Sequence, residues 1–252
     1  VTGQDIDYTK VLGPLGEFAK TVDAFRAAGG KGMNVTAPFK LDAFAYATDL
    51  APSAQVAGAV NAMKFEGGRV YAENFDGVGL VRDVVHNLGC PLKGKRVLVM
   101  GAGGATRGAL LPMLSEQPTQ LVIVNRTAAN ADAVVDLVRT ALGESAPVST
   151  GSTTDINAAT VLVNTTSVGM NSDESPVDHG VLHGGLVVLD AVYSPLDTAL
   201  LRAARAAGST TVDGLWMLIH QARHQQRLWF GRAADAGLMR EESVRELARR
   251  GK

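Results

Sequence analysis

With 252 residues, 46% of them hydrophobic and 19% charged, the chain can bury a substantial core and has room for one large domain or two ordinary ones. A net charge of −1 argues against a general attraction to nucleic acid or anionic membrane, and no apolar run reaches the ~18–20 residues of a membrane span. The single cysteine, Cys90, excludes an internal disulfide framework, and the polar residues 1–10 do not read as a signal peptide, so a reducing, cytoplasmic setting is expected.

Residues 15–28 show helical spacing, with Phe18, Val22 and Phe25 on one face and Gly29-Gly30 as the stop. A short strand is expected over 32–36, halted by Ala37-Pro38, and a helix over 41–50. Residues 60–65 and 69–72 read as paired strands around Glu66-Gly67-Gly68. Asn74-Phe75-Asp76-Gly77 then reads as a turn carrying a carboxylate. Beyond it, short β-branched runs at 97–100, 121–125, 161–164 and 186–190 alternate with helical segments, 104–115 and 130–142 among them. Such alternation implies a doubly wound parallel sheet. Residues 151–159 read as a polar loop. Residues 217–230 and 241–250 are helical again.

The run Val97-Leu98-Val99-Met100-Gly101-Ala102-Gly103-Gly104-Ala105 is a strand breaking into a glycine turn and re-entering a helix. That geometry brings backbone N–H groups and a helix N-terminus up to a phosphate. A third glycine is expected at position 106, where this chain has Thr106. The next strand ends in Asn125-Arg126-Thr127. A carboxylate at that place would bind the ribose of NAD and repel a 2′-phosphate; an arginine pairs with it, so NADP is the expected cofactor.

Before the glycine turn stand Asn34-Val35-Thr36-Ala37-Pro38-Phe39-Lys40, Gly58-Ala59-Val60-Asn61 and Asn74-Phe75-Asp76-Gly77. After it stand Asn164-Thr165-Thr166-Ser167-Val168-Gly169-Met170 and Asp213-Gly214-Leu215-Trp216-Met217-Leu218-Ile219-His220-Gln221. In order and approximate spacing these segments resemble the shikimate dehydrogenase family over essentially the whole chain.

The resemblance implies a two-domain α/β fold: an N-terminal α/β substrate domain over residues 1–77, a Rossmann-type NADP domain over 78–218, and C-terminal helices over 219–252 that pack back on the substrate domain. It implies NADPH-dependent, reversible reduction of 3-dehydroshikimate to shikimate. Lys40 and Asp76 are then the catalytic pair, with either holding the proton. Thr36, Asn61, Asp76, Tyr193 and Gln221 hold the substrate, and Gly101, Ala102, Gly103, Gly104, Ala105, Asn125, Arg126, Thr127, Ala191 and Gly214 hold the cofactor. A quinate/shikimate dehydrogenase of broader specificity, or a non-catalytic NADP-binding paralogue, is the alternative. The chain is expected to be a monomer or homodimer.

Three departures stand out. The family's first strand and its serine loop have no counterpart, and the chain opens on Val1, so that segment is expected upstream. Phe75 replaces a threonine before the catalytic aspartate, and Asn130 replaces a second basic residue after Arg126. The pairs His220/His224 and His179/His183 have four-residue spacing but no third ligand, so no metal is expected. Cys90 reads as an inert thiol, Trp216 and Trp229 as packing anchors, and Arg249-Arg250-Gly251-Lys252 as a solvated tail.

Overall fold

The computed structural model describes residues 5–249; the expected tail beyond Arg249 lies outside them. Phe18, Val22 and Phe25 shape α1 (Phe18–Ala27), which ends at Gly29 with φ +93°. β1 (Gly32–Asn34), β2 (Asp49–Leu50), β3 (Ala62–Glu66) and β4 (Arg69–Glu73) form a sheet in the order β1-β3-β4-β2. Gly67 and Gly68, at φ +57° and +81°, turn the β3–β4 hairpin, as a two-residue turn with both centres at positive φ requires. Met63, Phe65, Val70 and Ala72 alternate onto the buried face, covered by α1, α2 (Lys40–Tyr46) and α3 (Pro52–Ala57).

The helix expected over 41–50 stops at Tyr46. Ala47 is extended, and Thr48 exchanges two hydrogen bonds with Val70 (3.1 and 2.8 Å), so Asp49–Leu50 leaves to pair in parallel with β4. Strand pairing here outweighs local helix propensity.

The second sheet holds β5 (Arg96–Met100), β6 (Gln120–Val124), β7 (Val148–Thr150), β8 (Val161–Asn164), β9 (Val187–Asp190) and β10 (Thr210–Val212). The order is β10-β9-β8-β5-β6-β7, and every described pairing is parallel. It is a Rossmann-type doubly wound sheet. Val97, Val99, Leu121, Ile123 and Val163 pack one face beneath α5 (Gly104–Ser115) and α6 (Ala128–Leu142); Leu98, Val122, Leu162 and Val188 pack the other beneath α7 (Ala199–Ala206). β7 and β10 add to the expected strands: Val-Ser-Thr and Thr-Thr-Val bury one residue each and present no apolar run. The expected loop over 151–159 instead holds a 3₁₀ turn, Thr153–Ala158, started by a capping box between Ser152 and Asp155.

The chain crosses between the sheets through two helices. One is α4 (Asp76–Arg82), which continues as a π-helical turn over Asp83–Asn87; the other is α8 (Leu215–Phe230), followed by α9 (Ala236–Arg249). α8 reaches the first sheet, where Trp229 Nε1 donates to the Met63 carbonyl (2.9 Å).

Asp76 is not in a turn. It is the first residue of α4, and the turn is made by Asn74, whose Oδ1 accepts the Asp76 N–H (3.1 Å). Gly77 is a packing glycine: a Cβ there would land on the Gly108 carbonyl and lie 2.6 Å from Ala109 Cα in α5. Neither backbone can yield cheaply, so Gly77→Ala is expected to lower unfolding free energy by ~1–3 kcal/mol or more, read by denaturant titration. An unchanged midpoint would mean that α4 and α5 are not in backbone contact.

Candidate active site

Phe39 N–H bonds the Thr36 carbonyl (3.0 Å), closing a turn that delivers Lys40 as the first residue of α2. Its ammonium meets Asp76 Oδ2 at 2.6 Å. The Asp76 side chain is only 5% exposed, so its charge needs partners inside the fold. Lys40 is one. Asn61, entering β3, is the other: its Nδ2 donates to Asp76 Oδ1 (2.8 Å). The same Nδ2 donates to Gln221 Oε1 (3.0 Å) on α8, and Asn61 Oδ1 accepts the Phe75 N–H (2.9 Å). Lys40, Asn61, Asp76 and Gln221 are thus one connected cluster drawn from four elements.

At the end of β5, Gly101 takes φ +107°, and its N–H bonds the Val124 carbonyl (2.8 Å). Gly103 precedes α5 with no side-chain cap, which leaves the first N–H groups of that helix for an anion. A Cβ on Gly103 would meet nothing within 4 Å, so its approach is open. A Cβ on Gly104 would lie 3.6 Å from Lys40 Cδ. The lysine stem therefore runs alongside the glycine turn, and the two halves of the site adjoin.

Thr106 explains its departure from the glycine pattern. It is fully buried, and its hydroxyl donates to the Gly101 carbonyl (2.9 Å) and contacts Thr165 Oγ1 (2.7 Å), tying the turn to the loop after β8.

A groove of about 1190 Å³ runs from Gly101 past Asn125, Arg126 and Thr127. Asn125 Nδ2 bonds the Thr127 carbonyl (2.9 Å), and Arg126 is exposed on the wall, with Asn130 beside it. Residues 173–179 also line it. Their sequence is polar and aperiodic, and nothing in it points to the groove.

Ala191 and Gly214 touch: a Cβ on Gly214 would lie 2.6 Å from the Ala191 carbonyl carbon. Thr36 and Tyr193 are exposed and stand outside the hydrogen-bonded cluster. Thr36 borders a separate apolar recess with Phe18, Phe25 and Met33.

Sequence reasoning assigns no role to Asp190, which is fully buried at the end of β9. Burial pushes its carboxyl above the usual range, opposed by bonds from Thr198 (2.7 Å), the Val192 N–H (3.1 Å) and Asn164 Nδ2 (2.9 Å). Asn164 Oδ1 in turn accepts from the N–H and hydroxyl of Thr166. The network fastens the loops after β8 and β9. No helix among the described residues is long and apolar enough to cross a membrane.

Family models match three parts of the chain: the shikimate dehydrogenase substrate binding domain over residues 1–63, shikimate / quinate 5-dehydrogenase over 83–171, and the shikimate 5′-dehydrogenase C-terminal domain over 214–242. A shikimate dehydrogenase (NADP(+)) of Chromobacterium violaceum is 42% identical over 91% of this chain and 84% of its own. The crystal structure of an Ael1 enzyme from Pseudomonas putida is 42% identical over 91% of this chain and 84% of its own, with a TM-score of 0.81. That of shikimate 5-dehydrogenase from Thermus thermophilus, in complex with NADP(H) and shikimate, is 32% identical over 92% of this chain and 85% of its own, with a TM-score of 0.83. The chain belongs to the shikimate dehydrogenase family.

Proposed function

We propose that the chain catalyses the reversible reduction of 3-dehydroshikimate to shikimate with NADPH. The observation that carries this reading is the approach of the Lys40 stem to the Gly101–Ala105 turn, with its ammonium paired to Asp76. A proton donor held by a carboxylate thus stands beside a helix N-terminus suited to a pyrophosphate. The cradle fits a dinucleotide: Gly103 is open, α5 is uncapped, and Arg126 offers a guanidinium to a 2′-phosphate. When bound, NADPH supplies the hydride to the ring carbonyl carbon.

Lys40 stabilises the charge that develops on the carbonyl oxygen and delivers the proton to it. Asp76 orients the ammonium. Gln221 and the second lone pair of Asn61 Oδ1 hold ring hydroxyls, with Thr36 and Tyr193 on the rim, and Ala191 and Gly214 line the cofactor side. In this reading residues 1–77 make the substrate lobe, joined by the helices of 219–252, and 78–218 make the NADP lobe. Movement about α4 and α8 closes the cleft and excludes water. In this reading the enzyme works in the cytoplasm, where the buried Cys90 stays a thiol.

The test is nicotinamide absorbance with purified protein, offering shikimate and quinate with NADP⁺ and NAD⁺ separately. Turnover of shikimate with NADP⁺ is expected to have the highest kcat/KM of the four. No turnover of either acid with either cofactor would overturn the reading.

A further inference from the structure

Helix α4 and the residue before it, Phe75, pack along α8, and two of their contacts bracket Gln221. At the first, Gly79 of α4 lies against the backbone of α8: a Cβ there would be 2.6 Å from the Met217 carbonyl oxygen and 3.2 Å from the Gln221 nitrogen. At the second, Phe75 stacks on His224, with ring centroids 5.5 Å apart and planes 21° from parallel. His224 follows Gln221 by three residues, so both project from one face of α8. Phe75 immediately precedes Asp76, and its ring is buried. Burial holds the His224 imidazole below its usual titration range, and Arg227, Arg82 and Arg223 add to that shift. The ring that stacks is therefore neutral at neutral pH.

Phe75 also acts through its main chain. Its N–H has fixed polarity and donates to Asn61 Oδ1. The Asn61 amide must then turn its nitrogen toward Asp76 Oδ1 and Gln221 Oε1, which consumes both of its protons. Gln221 Oε1 is taken by Asn61, so the Gln221 NH₂ is the end left to meet a ligand. We propose that Phe75 and His224 are positioning residues: their stack holds Gln221 at bonding distance from Asn61 and so makes Gln221 a hydrogen-bond donor to a substrate oxygen. Without the stack, α8 keeps its contacts at Gly79 and Trp229 but loses the ring that packs one turn beyond Gln221, and the Gln221 amide is free to rotate and offer its oxygen instead. The substrate's identity rests on the function proposed above; the amide orientation does not.

The experiment compares wild type, His224→Ala, His224→Phe and Phe75→Leu in two measurements. In steady-state kinetics, His224→Ala and Phe75→Leu are expected to raise the shikimate KM about tenfold, through loss of one stack and one hydrogen bond, with kcat and the NADP⁺ KM within about twofold of wild type. His224→Phe keeps a flat neutral ring and is expected to restore the shikimate KM. In NMR hydrogen exchange without substrate, the Asn61 side-chain NH₂ is expected to be protected in wild type and His224→Phe, and to exchange faster in the other two. An unchanged shikimate KM in Phe75→Leu, a parallel rise in both KM values, or His224→Phe as impaired as His224→Ala overturns the proposal. If wild type does not turn over shikimate, the proposed function fails, and the exchange measurement alone decides the positioning role. Equal Asn61 exchange in wild type and Phe75→Leu then overturns it.

Discussion

Lys40→Ala is expected to lower kcat by on the order of 10²–10³, the usual loss when one charged donor to a developing oxyanion is removed. The ammonium is 2.6 Å from Asp76, and the stem lies against the Gly104 position, so no other part of the cluster can move in to replace it cheaply. Truncation also leaves Asp76 with Asn61 as its remaining described partner. A buried carboxylate stripped of its cation is destabilising, so unfolding should be measured beside the kinetics. Lys40→Met retains the packing of the stem and loses only the charge. It is expected to match the alanine variant in kcat while unfolding closer to wild type. Because Arg126 and the glycine turn are untouched, the NADP⁺ KM should move by less than about threefold in either variant. Near-normal kcat in Lys40→Met would remove the lysine from the chemistry.

Arg126→Ala is expected to raise the NADP⁺ KM by about 10- to 100-fold, since charge-assisted bonds to a phosphate contribute ~1.5–3 kcal/mol. The NAD⁺ KM should stay within about twofold, because NAD⁺ lacks the group that the guanidinium would hold. The geometry favours a specific effect: Arg126 is exposed on the groove wall, while the neighbouring Asn125 is committed to the Thr127 carbonyl. With Asn130 where a second cation could stand, little else on that wall would compensate. Equal rises for both cofactors would show that the residue shapes the groove rather than reading the phosphate.

The parts of this site that are legible in the sequence are those whose chemistry sits in a few contiguous residues. Gly101-Ala102-Gly103-Gly104 announces a turn because only glycine adopts Gly101's backbone readily, and the strand before it is a plain apolar run. The four central strands of the parallel sheet are readable for the same reason, while β7 and β10 at its edges are not: half-exposed edge strands carry no run of buried residues. Asp76 reads as a turn residue because Asp-Gly ordinarily marks a turn. Here Gly77 serves helix packing, and Asn74 makes the turn. The bond from Asn61 to Gln221 joins residues 160 apart and exists because α8 returns to the first sheet through Trp229. No local pattern encodes that return. Asp190 illustrates a further gap: a buried carboxylate is recognised by the donors converging on it, and these come from the end of β8, the loop after β9 and the cap of α7.

The central claim is that one ammonium faces a dinucleotide across a gap that admits a hydroxylated ring acid. A crystal structure of the chain with NADP⁺ and shikimate tests it most directly. The account predicts the nicotinamide beside Gly214, and Lys40 Nζ within ~2.6–3.2 Å of the ring hydroxyl to be oxidised. A shikimate ring seated elsewhere, for instance in the apolar recess beside Phe18 and Met33, or with Lys40 turned away from it, would contradict it.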